Sequence, residues 1–204
     1  VLAKHPKHPG ALHMLIHLLE PTTMPERAET AADTLMPLMP AAGHMVHMAS
    51  HIYQRVGRYA DAMKSNQLAI EADEDYITQC RAQGLYPMAY YPHNIHFLWF
   101  AATYDVQSKV AFDSAQKIAA KIPDAVLAEM PLTAGFRVVP YWANVRFGKW
   151  DAILAEPAPP ATNVFLTAAW HFARGVALVA TGRIDDAERA LAALTPLIAD
   201  KQLD

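Results

Sequence analysis

Residues 43–73 read GHMVHMASHIYQRVGRYADAMKSNQLAIEAD. Helical periodicity runs up to Arg55, Gly57-Arg58 supplies a tight turn, and a second helical pattern opens at Tyr59. Ala62 and Ala69 stand two turns apart on one stripe of that second helix. Small side chains there let two antiparallel backbones approach closely. The segment is a helical hairpin, and it is the template for the rest of the chain.

Outward from it the pattern recurs. Gly182-Arg183-Ile184-Asp185-Asp186-Ala187 matches Gly57-Arg58-Tyr59-Ala60-Asp61-Ala62, and Gly148-Lys149-Trp150 opens another such turn ahead of Gly182. The interval from Gly148 to Gly182 is the same as from His13 to His47 and from His17 to His51. With its turn glycine, the aromatic two residues later and the small residues of the second helix, the 43–73 segment resembles a tetratricopeptide repeat. The recurring interval equals that family's unit length of about 34 residues. The resemblance implies an all-α superhelical array of antiparallel helix pairs, irregular and His-rich in the bacterial manner, forming one domain over 1–204. The expected units cover about 9–39, 43–75, 92–123, 134–156 and 168–200. Pro6 and Pro123 fall where the family closes its second helix. Because Val1 lies inside a unit, the reading implies a piece of a longer array.

The departures are specific. Ser50 replaces the family's glycine, and the third turn, Asp105-Val106-Gln107, has no glycine at all. Tyr76–Tyr91 is an insertion, Val126–Thr133 a smaller one, and Pro157, Pro159 and Pro160 cut the fourth pair short.

Composition narrows the function classes. The 204 residues are 53% hydrophobic and 18% charged, with a formal charge of −3. No basic cluster suggests a nucleic-acid partner, and every long apolar stretch is interrupted by Pro, His or charge, against a membrane span. A soluble protein is expected, with cytoplasm favoured over periplasm. The single cysteine, Cys80, can form neither an internal disulfide nor a thiolate zinc site.

Ten histidines are the compositional excess, and nine lie from His5 to His96 in the runs HPKHPGALHMLIH, GHMVHMASH and PHNIH. At about 100° per residue, His44, His47 and His51 share one face of their helix, as do His13 with His17 and His93 with His96. In the repeat register His47 matches His13 and His96, His51 matches His17, and His44 matches His93. The resemblance implies that these first-helix positions line the concave wall, where the family binds ligands. Glu20 and Gln54 continue the stripe, and His8 is a further inner-face candidate.

Imidazoles at i, i+4 spacing present two nitrogens to one ion, so the expected cofactor is a transition metal: copper, iron or zinc. His13, His17, His47 and His51 form the leading four-cornered set. His44, His93, His96 and Glu20 stand as further ligands, outer partners or a second site. His5 and His171 fall off the shared face and read as structural. Tyr90 and Tyr91 from the insertion, Phe100, Trp142 and Arg146 are the expected walls of a small-molecule pocket. Trp99, Trp150 and Trp170 read as core, as do Met45 and Met48 beside the stripe.

Two function classes stand side by side. One is metal binding, with a small-molecule site if a coordination position stays open. The other is an interaction scaffold holding a peptide in the concave groove. No familiar catalytic motif decides whether the protein is an enzyme.

Overall fold

The computed structural model describes residues 1–82, 84 and 86–199. Gln83 and Leu85, within the expected insertion, and Asp200, at the end of the expected last pair, lie outside the described residues, as do residues 201–204. Among the described residues the fold is all-α, with successive helices paired against one another. It divides into two compact units, Val1–Ser114 and Ala115–Asp204.

The first unit contains α1 (Pro9–Leu19), α2 (Glu29–Leu35), α3 (Gly43–Arg55), α4 (Tyr59–Cys80) and α5 (Tyr91–Tyr104), and α6 (Ser108–Ala120) starts within it. α1 packs on α2 and α3, α2 on α3, α3 on α4 and α4 on α5. Ile16, Leu35, Met48, Ile52 and Tyr53 fill the core. Ala62 and Ala69 are fully buried where α4 meets α3, the role their spacing predicts. The approach is closest at Gly43, where an added Cβ would collide with the Asp73 carboxylate and lie 2.7 Å from the Ala69 carbonyl oxygen. α4 runs on to Cys80, and a π-helical turn over Tyr86–Tyr90 leads directly into α5, so helix occupies much of the expected insertion.

The second unit continues with α7 (Asp124–Glu129), α8 (Ala134–Arg137), α9 (Val139–Arg146), α10 (Trp150–Ala155), α11 (Val164–Ala180) and α12 (Ile184–Ile198). Asn163 caps α11 by accepting from the Leu166 N–H at 2.9 Å. Pro157 follows the early end of α10. α11 packs on α9, α10 and α12.

Four hairpin turns share one geometry. Arg58, Gln107, Lys149 and Arg183 each donate a backbone N–H five positions back, to Tyr53, Ala102, Asn144 and Leu178, at 2.8 to 2.9 Å. Each turn needs a left-handed residue just before the donor. Gly57, Gly148 and Gly182 supply it with φ of 80°, 65° and 74°. The third turn adopts the same shape without glycine: Val106 sits at φ 59°, where a β-branched side chain is strained.

Candidate metal centre

The first helices of successive pairs are α1, α3 and α5, and they carry the histidine stripe. The structure gathers six of its imidazoles by threes. His13 and His17 of α1 meet His44 from the first turn of α3, and His47 and His51 of α3 meet His93 from the first turn of α5. Within each set, the ligand-capable atoms all lie within 4.8 Å of one another. The expected four-cornered grouping is therefore distributed over two sets, because a histidine at the start of the next helix reaches the i, i+4 pair first. The step from His44 to His93 is longer than the repeat interval that relates His13 to His47, the excess being the inserted segment.

In the first set, His17 Nε2 is 3.1 Å from His13 Nε2, which is 3.3 Å from His44 Nε2. In the second, His47 Nε2 and His51 Nε2 face each other at 2.9 Å. Nitrogens bound at about 2.0–2.1 Å to one tetrahedral ion stand about 3.3 Å apart, so both sets have the spacing of a chelating group. The sets are neighbours: the rings of His17 and His51 are 5.8 Å apart, and those of His44 and His47 are 6.2 Å apart.

Hydrogen bonds set the ring orientation of two members of the second set, His47 and His51. The Asn66 amide donates to the Ala62 carbonyl at 2.8 Å, which leaves its oxygen as the acceptor facing His47 Nδ1 at 2.7 Å. His47 Nδ1 therefore carries the hydrogen. The Ser50 hydroxyl donates to the His47 carbonyl at 2.7 Å, and its lone pair lies 3.3 Å from the same Nδ1. His51 Nδ1 donates to Glu20 Oε1 at 2.6 Å. Both Nε2 lone pairs point inward, into the 2.9 Å gap. A ligating histidine held through its other nitrogen by a carboxylate or amide is the usual arrangement around a metal.

Burial keeps most of the clustered imidazoles neutral. Burial, then the neighbouring His51 and His93, hold His47 well below the ordinary imidazole range. Burial and the other histidines lower His44 and His93 to about 4. His13 is lowered by burial and by His17 and His51. Burial works to raise Glu20, but its hydrogen bond to His51 and the charges of His51, His17 and Arg55 outweigh that and lower it. The buried imidazoles are thus deprotonated near neutral pH, the form a metal binds.

A polar knot positions His93. Asp73 on α4 is 1% exposed and accepts from the Tyr86 hydroxyl at 2.6 Å and from the Asn94 amide at 2.7 Å. The Tyr91 hydroxyl donates to Glu74 at 2.6 Å. The start of α5 is thereby tied to α4 on both sides of His93. Phe97 packs against His47, His51 and His93 at ring distances of 4.5 to 4.7 Å and walls the second set.

The remaining expected residues take other places. His96 stacks on Trp99, outside both sets. One turn after His96, at the place of His17 and His51, stands Phe100, which packs on Tyr104. His8 caps α1, its Nδ1 accepting from the Ala11 N–H at 3.2 Å. Gln54 donates to the Phe97 carbonyl at 3.3 Å. Tyr90 sets its ring edge-on to His44, 5.3 Å away, and stacks on Tyr86. Tyr91 is buried toward α4. Trp142 and Arg146 belong to the second unit, where Trp142 packs against Phe172. Cavities of about 550 and 700 Å³ also lie in the second unit, and neither includes any of the six clustered histidines.

Sequence reading missed Asn66, Asp73 and Asn94. A signal existed for the first two: Ala62, Asn66, Ala69 and Asp73 form one helical stripe, and a polar residue on a stripe of packing alanines announces a buried hydrogen bond. No protein-family model matches the chain, nor does any curated protein or solved structure. Among the described residues, no helix is long and apolar enough to cross a membrane.

Proposed function

We propose that this protein is a tetratricopeptide-like array whose first unit binds a transition-metal ion through imidazole nitrogens, with α1, α3 and α5 as its inner-face helices. One observation carries the reading. His47 and His51 each have Nδ1 committed to an acceptor, so two lone pairs confront each other across 2.9 Å. Such a pair repels unless a cation lies between. A proton on His51, beside the Glu20 carboxylate, would also bridge the gap, but only a metal ion gains in addition a third nitrogen from His93. An all-nitrogen donor set without a thiolate suits copper, zinc or iron. Three imidazoles leave a coordination position for a water or a small molecule, with Phe97 beside it.

The test is elemental analysis of untagged protein purified without added metal. Bound metal of at least one ion per chain is expected, and the His47→Ala/His51→Ala variant holds at least one ion fewer. Trace metal that the double variant retains unchanged rejects the reading.

A further inference from the structure

The two histidine sets repeat each other, and the repetition has a chemical consequence. Each takes an i, i+4 pair from one helix and a first-turn histidine from the next first helix. Resting on the metal-binding reading above, we infer that the first unit holds two metal ions in adjacent three-imidazole sites, close enough to interact as a pair.

Three observations support the second ion. The His13, His17 and His44 nitrogens converge with separations of 3.1 and 3.3 Å, and His44 Nδ1 is buried without a partner, so its ring is oriented by what Nε2 faces. The two sets are in contact through His17 with His51 and His44 with His47. Glu20 links them: it follows the His13/His17 pair on α1 yet bonds His51 of the other set, placing a negative charge beside both. That charge offsets part of the repulsion between neighbouring cations.

The sites are not equal. The second set has two anchored rings and His47 is fully buried, whereas His17 is exposed. Loading is therefore stepwise, with the His47/His51/His93 site filling first. The first site then takes its ion against the field of the occupied neighbour. The open positions of two adjacent ions suit a small oxygen-donor ligand such as hydroxide.

Copper(II) titration followed by electron paramagnetic resonance tests this directly. The wild-type chain should take up two ions in two steps and then show coupling, either as a broadened spectrum with a half-field transition or, where a hydroxide bridges the ions, as a signal weaker than the copper bound. His17→Ala, at an exposed position, should take up one ion and give an ordinary isolated copper(II) spectrum. His13→Ala should do the same, with far-ultraviolet circular dichroism confirming an intact fold. A wild-type protein that stops at one tightly bound ion overturns the pair while leaving metal binding standing. So does one that holds two ions with uncoupled spectra. No tight copper uptake at all overturns both.

Discussion

The two imidazole sets are built from one sequence pattern and yet differ in kind. The second lies between α3, α4 and α5, where Asn66 and Glu20 orient two of its rings and Phe97 covers them. The first lies at α1, where Ala32 holds the place that Asn66 takes one repeat later and so offers His13 no amide. Equal ligand spacing does not make equal sites, because a ligand's worth depends on what holds its other nitrogen.

The comparison can be broken most sharply at the ligands. His93→Ala should weaken the tighter metal site by more than about 100-fold, since a direct ligand counts for more than an outer partner. His17→Ala should leave that site within about threefold of wild type. Isothermal titration with zinc under identical buffer separates the two, and equal losses would erase the distinction between the sets.

Acid should act on the metal-free protein through the same burial. His93 and His44 titrate near 4 when folded, against an ordinary imidazole value of 6.5. Below pH 6.5 the unfolded chain takes up protons that the folded chain refuses. Stability is therefore full above pH 6.5 and declines as pH falls toward 4. The loss is on the order of 2–3 kcal/mol for His93, and smaller for the less enclosed His44. Urea midpoints measured from about pH 7.5 to 4.5 check this, and a flat profile would contradict neutral, desolvated imidazoles. His93→Ala should flatten the profile more than His17→Ala.

Outer partners give a smaller contrast. Asn66→Ala or Glu20→Gln should cost the second site about 10- to 100-fold in zinc affinity and leave its ligand count unchanged. Affinity of the first site should respond to Glu20→Gln but not to Asn66→Ala. A response of both sites to Asn66→Ala would mean that they are not separable.

The smallest effect is a control on the scaffold. Val106→Gly relieves a left-handed β-branched residue in the third hairpin turn and should raise stability by about 1 kcal/mol, measured by thermal melting. Metal affinity at both sites should not move. Gly43→Ala is its opposite, since the added Cβ would meet both Asp73 and the α4 backbone.

The sequence by itself determined the helices, the turns and the register of the histidines. Those are local matters: glycine tolerates positive φ, proline ends helices, and i, i+4 spacing puts two imidazoles on one face whatever surrounds them. It also carried the repeat interval that makes His13 and His17 equivalent to His47 and His51. Only the tertiary structure decided the grouping by threes. Whether His44 joins α1's pair, and His93 α3's, depends on how the start of each helix meets its neighbour, which the buried Asp73–Asn94–Tyr86 knot sets for α5. The left-handed conformation of Val106 was likewise invisible beforehand, because the hydrogen bond from Gln107 back to Ala102 imposes it on a residue type that disfavours it. Tautomers came last of all. They follow from which acceptor each Nδ1 finds, and Asn66 reaches His47 from a different helix, well along the chain.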